Sequence, residues 1–154
     1  MSRRAIVVED DPTALALLAT RVEMLGFVVT LQDRCQTVEE AVATLAQGPV
    51  PALIVLDIVL PSRTFSSGGK RANGADLASG IRQTPVFADV PIVVVSGKMP
   101  ESDPDVRHAI RCGAVYLGKP HRLSAFRDAV ERAGANPGPM PTRGGGDAAA
   151  EILP

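Results

Sequence analysis

The chain has 154 residues, 16 basic against 17 acidic, a formal net charge of −1, and only four Phe, one Tyr and no Trp. That length is about one domain, with enough chain to bury a single core. Balanced charge gives no global pull toward nucleic acid or an anionic membrane, and few aromatics leave few platforms for base stacking, so neither partner is expected.

Met1-Ser2-Arg3-Arg4 begins like a basic leader, but the apolar run behind it stops at Glu9, so no export signal is read there. Ala5-Ile6-Val7-Val8 reads as a first strand near 5–9. Leu15, Leu18, Val22 and Leu25 recur at helical spacing over 13–25, and Gly26 stops that helix. A strand near 27–32 follows, then a helix near 38–47 carrying Val38, Val42 and Leu45. The run Ala52 to Asp57 is the third strand; the longest apolar stretch, Ile54 to Leu60, is broken by Asp57 and is too short to span a bilayer. Leu77 with Ile81 marks a third helix, Ile92 to Val95 a fourth strand, Val106 with Ile110 a fourth helix, and Tyr116-Leu117-Gly118 a fifth strand. Leu123, Phe126 and Val130 mark a fifth helix that ends before Gly134. Near-continuous Val/Ile/Leu strands alternating with helices predict an α/β fold, a parallel sheet covered on both faces. Cys35 and Cys112 lack the spacing of a metal or redox pair. Together these readings place the protein in the cytoplasm.

Four of the apolar runs end in polar residues: Glu9 and Asp10, Asp57, Ser96 and Lys119. In an open α/β sheet, ligands bind outside the carboxyl ends of the strands, so these five are the candidate site. Asp11 before Pro12 reads instead as a helix N-cap with proline in the first turn. Glu9, Asp10 and Asp57 would repel one another unless a cation intervened, and hard oxygen ligands with room for water suit Mg²⁺. An aspartate beside Mg²⁺ can attack a phosphoryl group, with Lys119 binding one phosphoryl oxygen and the Ser96 hydroxyl another. His108 and His121 stand alone and suit exposed or capping positions.

Val7-Val8-Glu9-Asp10-Asp11, Val55 to Pro61, Pro91 to Gly97 and Gly113 to Pro120 together resemble the receiver domain of bacterial two-component response regulators, over residues 4 to 133. The resemblance implies a doubly wound five-stranded parallel sheet of order 2-1-3-4-5 with five helices, the flavodoxin-like receiver fold of single-domain chemotaxis regulators. It implies that Asp57 is the phosphoacceptor and that Glu9, Asp10, Asp57 and the Val59 carbonyl hold Mg²⁺. Ser96 and Tyr116 would be the switch pair, Lys119 the phosphate-binding lysine, and Lys119-Pro120 a cis peptide. The implied donor is a histidine kinase or histidine phosphotransfer protein, and the implied output is a downstream protein, with no direct contact to nucleic acid or membrane. The protein would act as a monomer or a phosphorylation-dependent dimer, catalysing only its own phosphorylation and dephosphorylation.

Two features depart from that pattern. Ser62 to Asn73 is longer than the usual connection to the glycine that follows, here Gly74, and carries three cations and no acid. Its glycines suit a solvated mobile loop, and its position after the Asp57 strand suits one that reads a partner or shields the site. The segment Gly113 to Tyr116 is one residue shorter than usual. Beyond a receiver domain at 1–133, residues 134–154 contain five Gly and four Pro and read as a flexible tail with no room for an output module. Other readings of the same residues are an Asp57-dependent phosphohydrolase, disfavoured because Val59 stands where a second acid would be needed, and an interaction module that does not depend on phosphorylation.

Overall fold

The computed structural model describes residues 3–9, 11–32, 37–58, 66–138 and 152–153. Its elements are β1 (Arg4–Val8), α1 (Pro12–Met24), β2 (Val28–Gln32), α2 (Val38–Leu45), β3 (Leu53–Asp57), β4 (Ser66–Ser67), β5 (Lys70–Arg71), α3 (Gly74–Gln83), β6 (Ile92–Ser96), α4 (Pro104–Arg111), β7 (Val115–Gly118), β8 (His121–Arg122), α5 (Leu123–Arg132) and β9 (Ile152–Leu153), with one 3₁₀ turn at Pro85–Phe87. Five strands form a parallel sheet ordered β2-β1-β3-β6-β7, the expected 2-1-3-4-5 arrangement.

Because side chains alternate along a strand, each central strand feeds two cores. Ile6, Val8, Ile54, Leu56, Ile92 and Val94 pack with residues of α2, α3 and α4. Ala5, Val7, Leu53, Val55, Val93 and Val95 pack with α1 and α5. Each fully buried large aliphatic side chain contributes roughly 2 kcal/mol. The continuous apolar runs seen in the sequence follow from this two-sided burial. On α1, Leu15, Leu18 and Val22 are buried, as is Leu25 just past its end, and Asp11 caps the helix by accepting from the Ala14 N–H at 3.0 Å, with Pro12 in the first turn.

The second half of the 62–73 insertion is not a free loop. β4 and β5 make an antiparallel hairpin whose turn residues, Gly68 and Gly69, have φ of 58° and 81°. Positive φ at both positions is what a tight two-residue hairpin turn requires. The hairpin is fastened to the start of α2: Ser67 Oγ donates to Glu39 Oε1 at 2.9 Å, Gly68 N donates to the same oxygen at 3.2 Å, and Ser66 bridges to Thr37. Its own backbone N–H and the Ser67 hydroxyl hold the Glu39 carboxyl below its usual range. Nothing in the local sequence pairs Ser67 with a residue 28 positions earlier.

Past α5 the chain is held by backbone contacts that leave no hydropathy pattern. Ala135 N donates to Val130 O at 3.1 Å and Gly138 N to Leu25 O at 2.6 Å, while Arg127 Nη1 donates to Gly138 O. Ile152 and Leu153 pair antiparallel with Arg122 and His121 through the main chain.

Arg82 joins α3 to two neighbouring segments. Its Nε donates to Cys112 O at 2.8 Å, and its Nη1 to Ala88 O at 2.8 Å, Val90 O at 2.9 Å and Phe87 O at 3.3 Å. Hydrogen bonds from a charged donor are each stronger than neutral ones, and several carbonyls would lose their partner together. Arg82→Ala should therefore destabilise the fold by about 3 kcal/mol in urea unfolding. Arg111→Ala, on the exposed end of α4, should change stability by less than about 0.5 kcal/mol. Equal effects of the two changes would show that the Arg82 contacts are not what ties α3 to the turn and to α4.

Candidate functional site

The carboxyl ends of the strands form the polar end of the sheet. β3 terminates at Asp57, whose neighbour across the ladder is Val95, and β6 terminates at Ser96, opposite Gly118. Glu9 follows β1 and Lys119 follows β7. All four strands are centred in apolar layers, so their last side chains emerge into a crowded space with little water: Glu9 is 2% exposed, Asp57 6% and Ser96 1%.

Lys119 Nζ lies 2.5 Å from Asp57 Oδ2, closing a contact between residues 62 apart in sequence. Lys119 is held there by its own amide, which donates to Ser96 O at 2.9 Å, and the Lys119–Pro120 peptide that follows is cis. Glu9 Oε1 accepts from Asp11 N at 3.0 Å. Burial, reinforced by the adjoining Asp57 carboxyl, pushes the Glu9 carboxyl up to about 9, against the opposing pull of the Asp11 amide and Lys119. Glu9 thus keeps its proton beside Asp57 and Lys119, and a cation would take that proton's place. The donor set of carboxylate oxygens fits a hard divalent ion. Asp10 and the Val59 carbonyl, the other two expected ligands, lie outside the described residues.

Ser96 Oγ accepts from Lys98 N at 3.1 Å, and Tyr116 Oη donates to Lys98 O at 2.9 Å. The two expected switch residues therefore meet on one residue of the β6–α4 connection, despite the shortened segment before Tyr116. Burial is the main cause raising the Tyr116 hydroxyl above its ordinary value, with Glu101 adding to it.

His121 does not occupy the exposed or capping position expected for it. It is 6% exposed and packs edge-on to Phe126 with ring centroids 5.3 Å apart. Burial first, then the charges of Arg21 and Lys119, lower its imidazole to about 4, so it is neutral at physiological pH. With Glu9, Lys119, Leu17 and Leu18 it lines a pocket of about 270 Å³ beside the site. The residue that sequence reasoning undervalued is Gly74. A Cβ there would stand 2.1 Å from the Asp57 carbonyl oxygen, and Gly74 N donates to Ile58 O at 2.9 Å. Asn73 caps α3 at the same point, exchanging hydrogen bonds with Asp76. An Asn-Gly pair leading into an apolar helical pattern was the available signal.

A family model described as the response regulator receiver domain matches residues 5–131. The chain belongs to this family. The receiver domain is similar to the receiver domain of NtrX from Brucella abortus, at 27% identity over 84% of this chain and 96% of that one, with a TM-score of 0.62. It shares its fold with the chemotaxis protein CheY4 of Vibrio cholerae, at 16% identity over 86% and 99% of the two chains and a TM-score of 0.66. It shares it also with the response regulator TrrA of Thermotoga maritima, solved in complex with Mg²⁺-BeF, at 22% identity over 86% and 99% and a TM-score of 0.63. No curated protein matches the sequence. Receiver domains are signalling switches of two-component systems. Among the described residues no helix is long and apolar enough to cross a membrane.

Proposed function

We propose that this receiver domain accepts a phosphoryl group on Asp57 from a histidine kinase or histidine phosphotransfer protein and passes the signal to a partner protein. The observation that carries this reading is the buried Asp57 carboxylate held against Lys119 with Glu9 alongside. An Asp57 oxygen attacks phosphorus while the bond to the donor nitrogen breaks and its electron pair leaves with the imidazole. Lys119 binds one phosphoryl oxygen as a point charge and the Ser96 hydroxyl donates to another. Mg²⁺ held by Glu9, Asp10, Asp57 and the Val59 carbonyl would neutralise negative charge on the transferring group.

The hydrogen bonds carry the signal outward. When the Ser96 hydroxyl turns to the phosphoryl group, its contact with the Lys98 amide changes, and the Lys98 carbonyl takes the Tyr116 hydroxyl with it. The affected surface is that of α4, β7 and α5, where an output partner would dock. In this reading the receiver occupies 1–133 with 134–154 as a tail, and the protein works in the cytoplasm, as a monomer or a phosphorylation-dependent dimer, without touching nucleic acid or membrane.

Incubation with Mg²⁺ and phosphoramidate should give one base-labile phosphoryl group per chain, which then decays, and chelation should prevent it. Steady turnover of a small phosphomonoester without accumulation of the adduct would instead identify a phosphohydrolase.

A further inference from the structure

A second pocket, of about 290 Å³, lies on the other side of the phosphoacceptor strand and is lined by Ile58, Arg71, Asn73, Lys98, Asp103 and Asp105. Ile58 follows Asp57 directly, and Asn73 precedes the glycine packed on the Asp57 carbonyl, so the pocket borders the site. Arg71 reaches it because residues 66–71 fold as a hairpin, and the Glu39 clamp on Ser67 and Gly68 keeps that hairpin in place. The other charges are unequally available. Lys98 Nζ stands 3.8 Å from Asp103 Oδ2, and Asp103 Oδ1 accepts the Asp105 amide at 2.8 Å, so Lys98 and Asp103 offset each other. Arg71 forms no ion pair among the described residues, and the acid left to oppose it across the pocket is Asp105.

We propose that Arg71 is a specificity-determining residue for the phosphodonor, attracting and orienting the anionic leaving group of an acyl phosphate. The proposal rests on Asp57 being the phosphoacceptor. In the step it assists, an Asp57 oxygen bonds to phosphorus, the bond from phosphorus to the acyl oxygen breaks, and the electron pair departs as a carboxylate, with no proton transferred. A guanidinium beside the departing carboxylate stabilises charge that grows as the bond breaks, and a planar fork matches a carboxylate better than an ammonium does. Phosphoramidate makes no such demand, since its nitrogen arrives protonated and leaves as neutral ammonia.

The test compares labelling rates from acetyl phosphate and from phosphoramidate, with Mg²⁺ and at low ionic strength. Arg71→Gln should slow labelling by acetyl phosphate about three- to tenfold and leave phosphoramidate unchanged. Arg71→Lys should retain part of the acetyl phosphate rate, and Asp105→Asn should raise it, again sparing phosphoramidate. Glu39→Ala, which releases the hairpin, should reproduce the Arg71→Gln loss. Equal changes with both donors, or no change with acetyl phosphate, would overturn the role of Arg71 while phosphoramidate labelling of the parent upheld the phosphoacceptor. Failure of both donors to label the parent protein would overturn the two together.

Discussion

Asp57→Asn should abolish phosphoryl transfer from both kinase and phosphoramidate while leaving the fold intact. The substitution keeps the shape of the side chain and removes the nucleophilic oxygen, so the loss is chemical. Its effect on stability separates the functional from the structural role of the carboxylate. Without a divalent cation, Asp57 is one cause of the raised Glu9 carboxyl, together with the larger effect of burial. A carboxyl raised from 4.5 to about 9 on folding means that the folded state binds more protons than the unfolded one across that interval. The associated stability is fully present below about pH 4.5 and is lost as pH rises toward 9. Asp57→Asn removes one source of that rise, so the parent protein in chelator should lose more stability than the variant between pH 5 and pH 8, roughly the interval bounded by the two values. Mass spectrometry before and after phosphodonor treatment reads the first effect, and urea unfolding in chelator at several pH values reads the second. Undiminished labelling of Asp57→Asn would place the phosphoacceptor elsewhere.

Gly74→Ala should be the most damaging glycine-to-alanine change among the described residues. Two effects oppose each other. Alanine favours helix over glycine by about 1 kcal/mol in a helix interior, and by less in the first turn where Gly74 sits. Against this, the new Cβ would meet the Asp57 carbonyl oxygen at 2.1 Å and the Ile58 Cα at 2.9 Å, both backbone atoms. A side chain could rotate away; β3 cannot, because it is hydrogen-bonded between β1 and β6. Relief requires α3 to withdraw from a core containing Leu77, Ala78 and Ile81, all buried. The clash wins, and a loss of about 3 kcal/mol or more is expected. Strain that withdrawal of α3 does not relieve falls on the Asp57 carbonyl, so phosphoramidate labelling should also slow in the fraction that folds. Gly97→Ala supplies the comparison for stability, since a Cβ there meets nothing within 4 Å. Matching unfolding curves for the two variants would mean that the β3–α3 junction yields more easily than its hydrogen bonds suggest.

The parallel sheet was legible because every central strand is buried on both faces and must therefore be apolar throughout, and the helices because one stripe of each meets that sheet. The end of the sheet that carries the chemistry was legible for a related reason: Asp57 and Ser96 interrupt apolar runs at the point where the backbone leaves the core. Local pattern alone determined those features, together with the Asp11 cap on α1. It could not determine contacts whose partners come from distant segments. The Lys119–Asp57 approach depends on β6 lying between β3 and β7, and the Glu9 proton depends on burying two acids against each other, which no spacing expresses. His121 stands alone in the sequence and suits an exposed or capping position, yet it is buried in β8 against Phe126. In the sequence Gly74 marks only the end of the insertion; the close approach of the Asp57 carbonyl, where its side chain would be, belongs to the packed structure. The basic insertion was visible by length and charge, but the hairpin of its second half depends on Glu39, a side chain on α2 offering one carboxylate oxygen to Ser67 and Gly68. Periodicity reports which face of an element is buried; only the packed structure reports what it is buried against.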